Sequence, residues 1–531
     1  MYLTQSLHRA VLQAPDLPMT VYRDRSRTAR EVADRVARLA GGLRGLGVAE
    51  GDRVAILAMN SDRYPETFFA AWWTGAMVNP VNVRWSPAEI AYSLQDSGSE
   101  VLLIDDAFLP LVPELRARCP QLHTLIYCGE GDHPDGTVSY EGLVTTSEPV
   151  DDLRVGGDTP AALVYTGGTT GLPKGVLVTH RALVVSALGT QIQGRNLLSG
   201  GILLVSAPLF HIAAIANWVG QNLMVGTSVF LPAFSAEGVL AAVEDHRVTN
   251  LALVPTMIQS LVDHPDLTSY DVTSLRAISY GASAIPVAVL ERALEAFPGV
   301  RFSQGYGQTE TTVVSVLTME DHLAGGARLR SAGRPLAHAD VRVVAPDGRE
   351  LPRGEVGEIV VRGEGLMAGY WNKPDETRQA LRNGTMHTGD AGYLDDAGYL
   401  FIVDRIKDMI VSGGENVYSA EVENALARHP AVASVAVIGL PDPHWGERVH
   451  ATVIRRPGHS ADEAELRNHT RSLIAGYKVP RSWDFVDALP MSSAGKILKR
   501  ELRDQYQHRP GAADPNGPDG KPATPHGPPA E

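Results

Sequence analysis

Cysteine is almost missing from this chain of 531 residues, which holds two, Cys119 and Cys128. That excludes a disulfide framework and a clustered-cysteine metal centre, and it points to a reducing compartment. Positive charge is short as well: 47 Lys and Arg face 61 Asp and Glu, for a formal net charge of −14. A surface that coats nucleic acid is therefore not expected, although one local anion site remains open. Uninterrupted hydrophobic runs are lacking. The most apolar long segment, Ile202 to Val219, is broken by Ser206, Pro208, His211 and Asn217, and reads as a buried strand, loop and helix rather than a membrane span. The N-terminus (Met-Tyr-Leu-Thr-Gln-Ser-Leu-His) has neither a basic region nor an apolar core, so no signal peptide is read and a cytoplasmic location is expected. No repeat of fixed period is found.

What is present is ordinary globular material, 44% hydrophobic and 20% charged, in a length that predicts two to four domains. Apolar runs that read as strands, among them Arg53 to Met59, Val78 to Val81, Glu100 to Ile104, Leu251 to Val254 and Ala277 to Tyr280, alternate with segments of helical periodicity. The clearest helix opens at Thr28 and carries Val32, Val36, Leu39 and Leu43 on one face. Alternation with short links predicts a largely parallel α/β body. From about Ala332 the pattern turns to β-hairpins with Gly and Asp turns. Residues 408–506 read as a small separate α/β domain, with Ser419 expected to cap a helix through Arg428. The stretch from Pro510 to Glu531, rich in Pro and Gly, predicts a disordered tail. The expected division is 1–403, a hinge at 404–407, a mobile domain at 408–506 and a tail at 507–531.

The chemistry concentrates in Gly-rich polar segments. Tyr165-Thr-Gly-Gly-Thr-Thr-Gly-Leu-Pro-Lys-Gly-Val176 lies between two apolar runs. Its glycines allow close backbone approach, and its amides, threonines and Lys174 suit anionic oxygens. It is not a Walker A loop, because Pro173 precedes Lys174, Gly175 follows it and a strand comes next. Tyr280-Gly281-Ala282-Ser283 and Gln304-Gly-Tyr-Gly-Gln-Thr-Glu310 are read as following strands, and Thr388-Gly389-Asp390 as ending a β segment, where open α/β sheets hold ligands. Asp404-Arg405-Ile406-Lys407-Asp408, Ser412-Gly413-Gly414-Glu415-Asn416 and Ser493-Ala494-Gly495-Lys496 complete the set.

In this order, from about residue 5 to residue 505, these segments closely resemble the adenylate-forming enzymes, and within them the acyl-CoA synthetases. The resemblance implies an ATP-dependent, AMP-forming ligase of an acid, fatty or aryl, with coenzyme A, and with Mg²⁺ as cofactor. It implies that the loop Thr166, Gly167, Gly168, Thr169, Thr170, Gly171 and Lys174 wraps the β- and γ-phosphates, and that Glu310 and Thr166 hold the metal. Tyr306 is implied to stack near the adenine, between Gly305 and Gly307-Gln308-Thr309, with Ala282 and Ser283 on the same face. Asp390 and Arg405 are implied to bind ribose and phosphate, with Ile402 beside them and Lys407 at the hinge. Lys496 is implied to reach the reacting carboxylate and α-phosphate. Ser412, Gly413 and Gly414 are implied to line the thiol's tunnel, and Trp445 to meet the CoA nucleotide or simply fill a core.

His211 matches a position at the mouth of the acyl pocket and is expected to gate it, without acting as a general base. Ile212, Val254, Met257, Gly281 and Gly305 are expected to line that pocket, and the small residues after Ile212 favour apolar walls. Two alternatives stay open. The activated group could pass to an amine or a carrier protein, or the fold could bind nucleotide and acyl groups without catalysis. No nucleic-acid partner and no transmembrane segment are expected, and a homodimer is the assembly considered.

Overall fold

The structure, a computed structural model, describes residues 1–166, 172–194, 197–283, 285–412, 415–491 and 497–507, with Lys407 by its backbone alone. The chain divides into two compact units, Met1–Lys407 and a second that begins at Asp408.

In the first unit, helices start where side chains can satisfy their free amides. Thr28 and Glu31 form a reciprocal capping box at the head of Ala29–Gly45, and Ser86 and Glu89 form another before Pro87–Ser97. The buried stripe Val32, Val36, Leu39 and Leu43 then faces the core. Among the described residues these helices cover two large sheets. One sheet runs in the order Gly369–Tyr370, Lys174–Thr179, Pro160–Thr166, Met77–Pro80, Arg53–Leu57, Val101–Ile104, Thr124–Tyr127, Val138–Ser139. The other runs Arg334–Pro335, Thr312–Leu317, Arg301–Gln308, Ala277–Gly281, Asn250–Leu253, Ile202–Val205, Thr227–Phe230, Pro18–Tyr22, Arg25–Thr28. The inner strands of both are parallel, and antiparallel pairs sit toward the ends.

Helices Arg63–Trp73 and Ile212–Leu223 join the two layers. The Trp218 ring lies 5.2 Å from Phe69, 5.8 Å from Phe68 and 6.0 Å from Trp72. The Trp72 indole donates to the Ala161 carbonyl at 2.8 Å, which fixes this aromatic knot to the strand that leads into the Gly-rich loop.

A third, antiparallel sheet follows, Ala339–Val344, Gly357–Gly363, Thr385–Leu394 and Leu381–Arg382, with Leu400–Arg405 on the 385–394 strand. Here two expectations need correction. Gln304 to Gln308 does not follow a strand; it is the end of the strand Arg301–Gln308, and Thr388-Gly389-Asp390 lies inside Thr385–Leu394. Glycine was the misleading signal. It is needed in the first strand because a Cβ on Gly307 would run into the Thr312 carbonyl.

The second unit carries the strands Ile410–Ser412, Glu415–Val417, Val432–Asp442, Gly446–Arg455 and Ser482–Phe485, and the helices Ser419–Leu426, Glu463–Leu473 and Lys499–Gln507. Ser419 is not a cap. Tyr418 holds that position, and the buried Ser419 hydroxyl instead takes the Lys499 ammonium at 2.5 Å. Residues 508–531 lie outside the described residues.

Candidate active site

The three sheets of the first unit meet around the strand Arg301–Gln308. Side chains alternate across a strand, so Tyr306 and Gln308 share one face. Both reach the third sheet: the Tyr306 hydroxyl donates to Asp390 Oδ2 at 2.7 Å, and Gln308 Nε2 donates to the same oxygen at 2.7 Å and to the Thr388 carbonyl at 2.9 Å. Arg405, the strand partner of Asp390, closes on Oδ1 at 2.6 Å. Asp390 is 3% exposed, so these bonds also keep a buried charge satisfied. A carboxylate offers about four acceptor directions, which leaves room for one more donor. Burial first, and then the facing Asp390 carboxylate, push the Tyr306 phenol well above its ordinary value, so it stays a donor.

Glu310, just past the same strand, reaches the edge of the first sheet. Its carboxylate accepts the Tyr370 hydroxyl at 2.9 Å, and its carbonyl accepts the Met367 amide at 2.8 Å. The Lys174 ammonium stands 5.1 Å from the centre of the Tyr370 ring. One tyrosine therefore touches both the carboxylate and the cation. Burial and then Glu310 raise its phenol above the ordinary range.

The base of the Gly-rich loop is anchored independently. Thr166 and Lys174 are cross-strand partners, the Tyr165 hydroxyl donates to Asp96 at 2.7 Å, and the Trp371 amide donates to the Gly175 carbonyl at 2.8 Å. Gly167, Gly168, Thr169, Thr170 and Gly171 lie outside the described residues.

On the other face of this region, Gly281 and Gly305 are strand partners packed so closely that a Cβ on Gly281 would strike the Gly305 carbonyl. Ala282 follows in a left-handed conformation, φ 70°, and it and Ser283 are exposed. His211 occupies the N-cap position of Ile212–Leu223, with its ring 4.4 Å from Phe210. Ile212, Val254 and Met257 are half-buried, Val254 at the N-cap position of Pro255–Val262. Thr309 lies in the turn after Gln308, and Ile402 is half-buried on Leu400–Arg405.

In the second unit, Ser412 is buried at the end of its strand, while half-buried Trp445 lies under the Arg481 guanidinium at 4.0 Å. Gly413, Gly414 and Lys496 lie outside the described residues, as does the Lys407 side chain.

Sequence reasoning missed Tyr370, Asp96 and Gln308's second role as a tie between sheets. The Gly369-Tyr370-Trp371 triplet was the available signal for Tyr370, since an aromatic pair beside a glycine marks a close approach. Among the described residues no cluster of three or more His, Cys, Asp or Glu could hold a metal by itself, and no helix is long and apolar enough to cross a membrane.

Comparison with known proteins covers most of the chain. Residues 7–371 match the AMP-binding enzyme family, and residues 421–496 match the AMP-binding enzyme C-terminal domain. A feruloyl-CoA synthase from Amycolatopsis sp is 42% identical over 90% of this chain and 94% of that protein. A fatty acid–[acyl-carrier-protein] ligase, ScoC, from Streptomyces coeruleorubidus is 39% identical over 93% and 94%. The crystal structure of the anthranilate CoA ligase AuaEII with anthranoyl-AMP superposes with a TM-score of 0.88 at 28% identity, covering 96% of this chain and 97% of that one.

Proposed function

The chain belongs to the AMP-binding enzyme family, and on that premise we propose that it is an acyl-CoA synthetase: it couples a carboxylic acid to ATP, forming an acyl-adenylate and pyrophosphate, and then passes the acyl group to coenzyme A with release of AMP. The observation that carries the reading is the buried Asp390, held from three side chains within the strand Thr385–Leu394 and with one acceptor direction to spare. A ribose hydroxyl is a donor of the kind that position accepts, and Arg405 beside it suits a phosphate oxygen. Tyr306, pinned through its hydroxyl, offers its ring to the adenine. Lys174, with the loop before it, takes the negative charge that grows on the departing pyrophosphate.

Mg²⁺ fits the donors present. This ion is commonly held by one or two carboxylates together with substrate phosphates, and Glu310 is a carboxylate oriented by a single phenol. When bound it would neutralise phosphate charge, with Thr166 as a second oxygen donor. Residues 404–407 serve as the hinge of this reading. Lys496 is assigned by its sequence motif as the cation that meets the reacting carboxylate. A homodimer in the cytoplasm is the setting proposed.

The relatives differ in acceptor, since one is named for CoA and another for an acyl carrier protein. ATP–pyrophosphate exchange and thioester formation, measured for a panel of acids with and without CoA, test the proposal. Exchange that never leads to a CoA thioester would sink the CoA step and favour a carrier protein or amine. No exchange with any acid would sink the adenylation itself.

A further inference from the structure

The two large sheets carry their candidate-site residues toward one end, and at the opposite end they enclose a second charged place. Strand Arg25–Thr28 is the last of one sheet and Val138–Ser139 the last of the other. Arg25–Thr28 stands six strands from Arg301–Gln308, about 29 Å along the sheet at 4.8 Å per strand. Residues from both edges line a cavity of about 400 Å³, with Arg25, Arg27, Arg63, Glu130, Tyr140 and Glu141 among its walls. Local structure sets these positions. Arg25 and Arg27 share one face of the edge strand, Arg63 opens the helix Arg63–Trp73, and Tyr140 opens Tyr140–Thr146.

The charges here are unevenly satisfied. The two fully buried acids are well served. Asp62 accepts Arg25 Nε at 3.0 Å and Nη2 at 2.9 Å and also touches Arg27. Glu66 accepts Arg35 at 2.7 and 3.0 Å and the Tyr140 hydroxyl at 2.7 Å. The guanidinium groups are less well served. The Arg63 side chain is 5% exposed and lies over the Tyr140 ring at 4.9 Å. It pairs in charge with Glu141, yet its Nε and Nη1 make no hydrogen bond. Arg27 holds Asp62 through Nη1, but its Nε stands 3.7 Å from Glu66 and its Nη2 3.9 Å from Glu141, beyond hydrogen-bond length. Donors buried in this way are costly until an acceptor joins them. The other two acids do not cancel the cations inside the cavity. Glu130 and Glu141 are 33% and 44% exposed, so water screens them more than it screens Arg27 and Arg63.

We infer that this cavity binds a phosphate group, with Arg27 and Arg63 as its principal ligands. Guanidinium N–H groups that arrive from a strand and from a helix suit the several oxygens of a tetrahedral phosphate better than the two of a planar carboxylate. The volume lies in the range of small-ligand pockets, so the group fits either as the free ion or as the phosphoryl end of a small ester. The site is separate from the acid-activating centre and stands whether or not that reading holds.

The test is isothermal titration calorimetry of the full-length chain with inorganic phosphate and with ribose 5-phosphate, against sodium chloride at matched ionic strength. The wild-type protein is expected to bind a phosphate group outside the Gly-rich loop with a Kd of about 1 mM or tighter. Lys174→Ala, which disarms the loop, is expected to keep that binding. Arg27→Gln and Arg63→Gln are each expected to weaken it at least about tenfold. Both variants should fold, since Asp62 keeps its fork from Arg25 and Glu141 its fork from Arg35; thermal melting checks this. In the wild-type protein, inorganic phosphate should also slow hydrogen exchange in segments 22–28 and 60–66. Tighter binding of the ester identifies a phosphorylated small molecule as the ligand, tighter binding of the free ion identifies inorganic phosphate, and either upholds the site. No binding beyond the chloride control, binding lost in Lys174→Ala, binding unchanged in both arginine variants, or slowed exchange confined to segment 165–176 would overturn the inference.

Discussion

Replacing Tyr370 with Phe removes one hydroxyl and leaves the ring. The lost bond is the 2.9 Å donation to Glu310, while the ring face below Lys174 at 5.1 Å is retained. A hydrogen bond to a charged acceptor contributes about 1.5–3 kcal/mol when buried. Both residues here are half-buried, so roughly 1–1.5 kcal/mol is the appropriate range. That energy is spent on holding one carboxylate rotamer, so its loss appears as weaker metal binding by about five- to tenfold. The assay is ATP–pyrophosphate exchange titrated with Mg²⁺. Tyr370→Phe is expected to raise the half-saturating Mg²⁺ concentration by that factor and leave the KM of the acid within about twofold. Binding of Mn²⁺ in the presence of ATP, followed by loss of the free-ion EPR signal, should weaken in parallel. Tyr370→Leu also deletes the ring under the ammonium, a contact worth about 0.5–1 kcal/mol at a partly exposed site, and should raise the KM of ATP further. A Tyr370→Phe enzyme with a shifted acid KM and an unshifted Mg²⁺ curve would refute the chain of reasoning from phenol to carboxylate to metal.

Asp390→Asn removes the charge facing Arg405 and makes one of its two oxygens an amide. Charge-assisted bonds of about 1.5–3 kcal/mol are lost, so the KM for ATP should rise roughly 10- to 100-fold in steady-state kinetics. Lys496→Ala should lower the exchange rate by about 10²–10³ while ATP binding, read by calorimetry, persists; an unchanged exchange rate removes Lys496 from the chemistry. His180 is 1% exposed, and burial holds its imidazole down at about 4. An unfolded histidine binds its proton near pH 6.5, so the unfolded chain gains a proton that the folded chain refuses. Stability is therefore fully present above about pH 6.5 and falls by roughly 3 kcal/mol as the pH drops to 4. His180→Asn, which keeps an acceptor for the Leu3 amide, should flatten the slope of melting temperature against pH in that window.

The parts of this fold that were legible in the sequence are those governed by local rules. Strand Arg53–Leu57 announces itself by an apolar run between turns, and Ala29–Gly45 by its cap and its stripe of Val and Leu. The candidate site was legible only as segments. Nothing in spacing says that Glu310 meets Tyr370 sixty positions on, because that bond crosses from one sheet to another and neither strand's pattern encodes its partner. The glycines at 305 and 307 looked like a loop because local propensity was read before packing. Both stand in a strand, and at Gly307 the neighbouring Thr312 backbone comes too near for a Cβ. Asn217 was noticed only as an interruption of an apolar run, since a single polar residue on a helix has no visible partner until Ser279 is placed against it.

The period of two along residues 304 to 308 does more than shape a sheet. Tyr306 and Gln308 point to Asp390, and Glu310, in the turn just past the strand, accepts from Tyr370. The intervening Gly305 instead abuts Gly281, on the side from which Ser279 projects. On the proposed reading, nucleotide-facing and acid-facing positions alternate along this strand, so that the pleat would bring the two reactants together. A single inserted residue between Gly305 and Tyr306 would exchange the faces, turning the tyrosine toward the glycine partner and a glycine toward Asp390. Such an insertion should abolish both nucleotide binding and acid selectivity, whereas point substitutions on either face should affect one before the other.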